Sequence, residues 1–301
     1  MHQYRRFLPI LAAFAAIGLL SAMDAFMKQA ALSAGAYTAT VLRALIGTAM
    51  IAPVWLAKGW RWPDRGVMKL HVERGVISAF MALSWFYAIT KLPLAEAIAI
   101  SFVAPLIALY FAHALLGERI RKGAIYASIL GFAGMLVIIG GRLGSEAITE
   151  GLVLGLASLI FSALLYAYNF VVIRRQSQLA RPVEIATFHS GISGLILLVF
   201  APLLWATPQI DALGTISIAS ALTVGGALLI AWAYARAEAQ VLVPVEYTGF
   251  LWAALLGWLM FDEGISVTTV AGAVLIVIGC WIAARGQSNP NAPDHTEQST
   301  V

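Results

Sequence analysis

The residue with most to explain is Asp24, a carboxylate inside an apolar run of helical length. A charge at the centre of a lipid-embedded helix is disfavoured by ~2.5–3.5 kcal/mol on insertion scales, so it needs a partner or a purpose. Lys28 lies four residues on, on the same helix face. Arg43 falls at similar depth in the next apolar run. Asp24, Lys28 and Arg43 can form structural ion pairs that join two helices, or Asp24 can meet a ligand. Glu246 is the second carboxylate of this kind, followed by Tyr247. It can bind an ammonium group, carry a proton, or pair with Arg236.

Polar and aromatic stripes surround these charges. Ser158, Ser162, Tyr166 and Asn169 recur at spacings that keep them on one helix face. A polar stripe in lipid must face protein or water, so it is either a set of interhelical hydrogen bonds or a cavity wall with Tyr166 and Asn169 at the ligand. Ser78 and Trp85, with Phe80, Ser84 and Tyr87 beside them, offer broad apolar area with polar tips, suited to an apolar side chain or a cation, or simply to packing. Trp232 and Trp252 lie deep in their runs and are cavity candidates, whereas Trp55, Trp60, Trp62, Trp205 and Trp281 fall at run ends as interfacial anchors. Pro105 removes a helix hydrogen bond and frees the carbonyl of Ser101, which makes a hinge, a ligand acceptor or a static kink. Glu96 reads as solvated at a span end.

Metal and cofactor chemistry finds no support. The five histidines do not cluster, His113 and His189 being read as lying inside spans, and Cys280 is the single cysteine. No zinc-protease helix, phosphate loop or nucleophile elbow occurs. Neither a metal nor a cofactor is expected.

These groups must be positioned by helices in a bilayer. Hydrophobic residues make up 61% of the 301 and charged ones 11%, against roughly 25% charged in soluble domains; mean hydropathy is +0.86. The solvent is therefore lipid, and the net charge of +4 is no nucleic-acid signal. Apolar runs fall at about 7–31, 36–57, 70–90, 94–116, 122–140, 149–173, 182–206, 213–236, 240–261 and 265–285, about ten spans with short loops. Residues 286–301 form a polar, proline-containing tail expected to be disordered. Fifteen Lys and Arg fall in one alternating set of loops and three in the other, which puts both termini in the cytoplasm. The first run also has the outline of a signal peptide, but it has a counterpart in the second half and is read as a retained span.

A shift of 145 residues sets Leu116-Gly117-Glu118-Arg119-Ile120 on Phe261-Asp262-Glu263-Gly264-Ile265, Asp24 on Asn169, and Gly134 on Gly279. The chain thus divides into residues 1–143 and 144–285, five spans each. Five is odd, so the second half enters the membrane inverted, an organisation that supports two exchangeable arrangements of one central site. Phe250 stands where the shift would place a partner for Pro105, so the halves differ there.

Ala88-Ile89-Thr90-Lys91-Leu92-Pro93-Leu94-Ala95-Glu96-Ala97, then Pro105 and Gly117-Glu118, resembles the first EamA domain of the drug/metabolite transporter superfamily. Val243-Pro244-Val245-Glu246-Tyr247-Thr248, Trp252-Ala253-Ala254-Leu255-Leu256-Gly257-Trp258 and Asp262-Glu263 look like the second, and Asp24 with Lys28 and Arg43 is similar to the family's first two helices. Asp262 replaces the family's usual glycine. The resemblance covers roughly 7–285 and implies an all-α integral membrane fold of ten transmembrane helices with a central cavity lined mainly by the first, third, fourth, sixth, eighth and ninth. Within the family the chain looks most like the YddG-type bacterial amino-acid exporters. The expected function is export of small amphipathic metabolites, aromatic or apolar amino acids foremost, across a bacterial inner membrane by alternating access. S-adenosylmethionine, nucleosides and cationic drugs are the other substrates to weigh. A lipid-modifying membrane enzyme is the alternative of another class, and it would need a convergent catalytic set, whereas Asp24 and Glu246 lie toward opposite membrane faces. The small-residue faces at Gly249, Ala253 and Gly257 and at Gly272 and Gly279 serve contacts within one chain or between copies, so a monomer and a homodimer both fit.

Overall fold

A computed structural model describes residues 2–57, 61–116, 122–145, 149–176, 178–234, 236, 242 and 245–287. Gly117, Glu118, Val243, Pro244 and the expected tail from residue 288 onward lie outside them. The described residues form helices and turns without strands: α1 (His2–Ala34), α2 (Ala36–Ala57), α3 (Arg65–Lys91), α4 (Leu94–Ser101), α5 (Ala104–Leu116), α6 (Lys122–Ser145), α7 (Glu150–Gln176), α8 (Pro182–Leu198), α9 (Ala201–Leu204), α10 (Ile210–Tyr234), α11 (Gly249–Phe261) and α12 (Val267–Gln287). Among the described residues six stretches are long and apolar enough to cross a membrane: Leu8–Ala34, Ala36–Ala57, Arg65–Lys91, Leu94–Leu115 (α4 with α5), Glu150–Ile173 and Ile210–Ile230. Four shorter apolar helices accompany them, Ser128–Gly144, Pro182–Leu198, Gly249–Phe261 and Val267–Gly279. The outer faces are apolar, with Leu228, Leu251 and Leu259 each more than 60% exposed. A surface of that kind is solvated by lipid tails.

α1 packs along α10 and α3 along α7, while α6 lies against α12, α2 against α8 and α4 against α11. The 145-residue shift carries α1 to α7, α2 to α8, α3 to α10 and α6 to α12, so the first four of these pairs map onto one another or onto themselves, whereas it carries α5 rather than α4 onto α11. Small residues allow the closest approaches. A methyl group on Gly134 would stand 2.5 Å from the Gly272 carbonyl oxygen, a distance only two facing glycines permit.

Three of the expected runs are interrupted among the described residues: 182–206 by a turn at Val199 and Phe200 between α8 and α9, and two more at positions related by the repeat. Pro105 was expected to kink a continuous helix, but α4 stops at Ser101, Phe102 and Val103 form a turn, and α5 begins anew at Ala104. Proline fits a first helical turn, where its missing N–H goes unused. In the second half Val245 and Glu246 are helical, Tyr247 and Thr248 form a turn, and α11 starts at Gly249. The 145-residue shift places that turn on Phe102 and Val103. The halves thus break at equivalent positions even though Phe250 replaces the proline. In the second half the turn is held by Thr248, whose N–H and hydroxyl both donate to the Val245 carbonyl at 3.0 and 2.6 Å.

α11 ends on Asp262 in the left-handed conformation, φ 54°. Its N–H returns to the Trp258 carbonyl and that of Glu263 to the Gly257 carbonyl, both at 3.1 Å. Left-handed helix caps favour glycine, which accounts for the glycine of the family pattern; aspartate is among the few residues that tolerate the position.

Candidate functional site

The polar groups fall into three clusters along the bundle axis. The end from which α1 starts is termed the near end, the other the far end.

At the far end Lys28, 4% exposed, pairs with Glu263. It also donates to the Leu92 carbonyl at 2.7 Å and lies 5.0 Å from the Phe261 ring centre. The second carboxylate oxygen of Glu263 accepts the Leu94 N–H at 2.7 Å. Lys28 therefore does not pair with Asp24 on its own helix: the i to i+4 spacing put both on one face, but tertiary contacts took the ammonium to the Asp262–Glu263 corner. Glu96, expected to be solvated, is 5% exposed. It accepts the Thr269 hydroxyl at 3.1 Å and stands 3.7 Å from Arg142. These contacts tie α1, the α3–α4 corner, α6 and α12 together.

The middle cluster surrounds an internal space. Asp24 accepts the indole N–H of Trp85 at 2.9 Å and interacts electrostatically with Arg43. The Arg43 guanidinium sits 5.1 Å from the Phe86 ring centre, and its Nε has no partner among the described residues. Tyr166 is 44% exposed although it lies in electrostatic reach of Asp24 on α1 and of Glu246 ahead of α11. On a helix turning about 100° per residue, Tyr166 points away from the lipid-facing Val153, Ile160 and Leu164, so its exposure opens into the bundle. Phe170 follows it at 5.0 Å. Asn169 is 4% exposed and its Oδ1 has no partner among the described residues. At the crossing of the broken spans, the shift-related residues Phe102 and Tyr247 meet ring to ring, centroids 5.4 Å apart.

The remaining expected cavity residues have other surroundings. Ser162 donates to the Met81 carbonyl at 2.9 Å, an α7–α3 tie. The Ser101 hydroxyl bonds back to Ile98 at 2.8 Å. Ser84 and Tyr87 line a separate cleft of about 350 Å³ toward the far end, with Gly35, Ser158 and Leu204. Trp232 lies under the Arg236 guanidinium at 4.2 Å. Trp252 packs on Phe14 at 5.1 Å and over Gly18, and its buried Nε1 has no partner among the described residues.

The third cluster, toward the near end, was not read from the sequence. Arg74 donates to the Gln176 side-chain oxygen at 2.9 Å. That fixes the amide, so Nε2 of Gln176 donates to Nδ1 of His71 at 2.6 Å. Nε2 of His71 then carries the proton and donates to Glu184 at 3.0 Å. His71 and Gln176 are wholly buried, and the chain of bonds joins α3, α7 and α8. The one available signal was that these four polar residues lie at the near-end rims of three spans.

An apolar multi-span bundle with intramembrane charges of both signs fits a membrane transporter of small molecules. The chain belongs to the EamA-like transporter family, whose profile matches residues 7–140 and again 153–285. It is similar to the pseudopaline exporter CntI of Pseudomonas aeruginosa (strain UCBPP-PA14), 28% identical over 282 residues, 92% of this chain and 95% of that protein. The S-adenosylmethionine uptake transporter of Rickettsia prowazekii is 27% identical over 233 residues, 76% of each chain. The riboflavin transporter of Brucella anthropi is 23% identical over 246 residues, covering 77% and 82%. A solved crystal structure shares the fold with a TM-score of 0.63 at 22% identity, over 93% of this chain and 98% of its own. The family and these relatives are transporters, not enzymes. The relatives named carry metabolites other than amino acids.

Proposed function

We propose that this chain is a secondary transporter of the bacterial inner membrane. It exports small amphipathic metabolites, aromatic or apolar amino acids first, by alternating access. In this reading the six long and four shorter apolar helices are the ten spans, residues 1–143 and 144–285 are inverted repeats, and both termini lie in the cytoplasm.

The observation that carries the proposal is the middle cluster. It presents carboxylates at Asp24 and Glu246, a guanidinium at Arg43, and aromatic area at Trp85, Tyr166 and Phe170 around one internal space. An amino acid has the complementary parts: an ammonium, a carboxylate and an apolar side chain. The pairing of α1 with α10, α3 with α7, α2 with α8 and α6 with α12, which the 145-residue shift maps onto itself, supports the two-repeat mechanism. So does the meeting of Phe102 with Tyr247 at equivalent breaks. The Lys28–Glu263 corner closes the far, periplasmic end. Tyr166 and Phe170 leave the space reachable from the cytoplasmic half, the state that loads a substrate for export.

Cells carrying the protein and loaded with phenylalanine from a dipeptide are expected to release it faster than cells without it. Asn169→Ala, which removes the unpartnered acceptor from the cavity wall, is expected to slow that release about 10-fold, the loss of one hydrogen bond to a charged group. Release rates that are the same with and without the protein would rule out the amino-acid assignment. A second substrate reading rests on the similarity to the pseudopaline exporter over 92% of this chain; it puts pseudopaline in the same cavity and predicts its release in place of phenylalanine.

A further inference from the structure

The resemblance places the cavity mainly between six spans, and the second and seventh, here α2 and α8, are not among them. Yet α2 and α3 each carry a guanidinium into the bundle, and α8 brings an imidazole beside them. Ser193 of α8 donates to the Gly75 carbonyl of α3 at 3.0 Å, and Gly47 of α2 faces Ser190 of α8. This packing brings His189 within electrostatic reach of both Arg74 and Arg43. Nε of Arg43, Nε of Arg74 and Nδ1 of His189 are each buried with no hydrogen-bond partner among the described residues.

The charges do not balance. Neither Arg43 nor Arg74 makes a salt bridge among the described residues. Asp24, which interacts with Arg43 electrostatically, gives its hydrogen bond to Trp85. Arg74 is held by the neutral Gln176 amide, and the nearby Glu184 is committed to His71. Two guanidiniums thus face a low-dielectric interior, Arg43 with Asp24 in electrostatic reach and Arg74 with a neutral amide, and unpaired buried charge is costly. A protein that keeps such a cluster recovers the cost when an anion arrives. Arginine forks match carboxylates in geometry as well as in charge.

We infer that Arg43, Arg74 and His189 form a carboxylate-binding pocket that takes the acidic end of the transported molecule. The pocket deepens the amino-acid reading but is not tied to it, since any small carboxylate of suitable size fits the same donors. Asp24, Tyr166 and Glu246 face the other end of the cargo, so a molecule with separated carboxylate and ammonium lies between α8 and α1.

The test uses the purified full-length protein in lipid nanodiscs, with intrinsic tryptophan fluorescence, to which Trp85 contributes, and thermal stability as readouts. The probes are phenylalanine, phenylethylamine, which lacks the carboxylate, and succinate, which lacks the ammonium. Phenylalanine or succinate is expected to bind. Arg43→Gln and Arg74→Gln are each expected to weaken that binding about 10–100-fold, the range for hydrogen bonds to charged groups. Arg43→Lys, which keeps the charge and the fold but not the fork, is expected to weaken it less. Succinate bound and phenylalanine not bound, with the same arginine dependence, supports the pocket and overturns the amino-acid reading. Phenylalanine bound equally by the wild type and both Gln variants overturns the pocket and leaves that reading standing. No binding of either carboxylate also overturns the pocket.

Discussion

Replacing Glu263 with alanine is expected to destabilise the protein by about 3–5 kcal/mol, the range for stripping one partner from a buried ion pair. Its two oxygens serve separate elements, Lys28 of α1 and the N–H of Leu94 at the start of α4. Without them Lys28, 4% exposed, keeps one carbonyl, that of Leu92 at 2.7 Å, and a ring face. Denaturation of the purified variants in detergent measures the loss. Lys28→Met combined with Glu263→Leu is expected to recover most of it, because an apolar pair leaves no buried charge. A cost below about 1 kcal/mol for Glu263→Ala, the level of an exposed pair, would mean that this corner does not hold the far end shut.

The second large effect is expected at Asp24. Alanine there removes the acceptor of the Trp85 indole and the one carboxylate that balances Arg43, and about a 100-fold loss of flux is expected, the sum of a charged hydrogen bond and a lost charge partner. Asn at the same position keeps an acceptor for Trp85 but not the charge. Comparing the two by initial rates in vesicles separates the roles. Flux restored fully by Asp24→Asn would make Asp24 a positioning group for Trp85. Flux lost in both variants, at wild-type protein levels, assigns its charge to substrate or to Arg43.

Much of the fold was legible because lipid imposes simple rules. Runs of apolar residues gave most of the helices, with ends that agree to within about five residues, except that 182–206 splits into α8 and α9 after Leu198 and α11 begins only at Gly249. The broken span at Pro105 was half legible: proline announced it, while the equivalent break at Tyr247 and Thr248 carries no such marker and depends on a threonine hydroxyl. The site was less legible. Intramembrane charge singled out Asp24 and Arg43; they interact electrostatically, but Asp24 bonds Trp85 and the two form no salt bridge among the described residues. The same spacing argument paired Lys28 with Asp24, and long-range packing gave it Glu263 instead, a separation of 235 residues that no local pattern encodes. Glu263 did have a signal, its match with Glu118 under the repeat. Glu96 was taken for a solvated end residue because depth along a span says nothing of what packs over it. The His71–Gln176 link spans 105 residues between α3 and α7, and periodicity within either helix could not join them.

The most direct measurement is flux in liposomes that contain only the purified protein, with a panel of labelled amino acids, with and without a pH gradient. The account predicts saturable movement of at least one aromatic or apolar amino acid, lost when Tyr166 or Asn169 is changed to alanine in protein that remains folded. Dependence on the pH gradient would add a coupled proton. A well-folded sample that moves no amino acid in the panel would contradict the amino-acid assignment, and the search would pass to pseudopaline, S-adenosylmethionine and riboflavin, the cargoes named for the relatives.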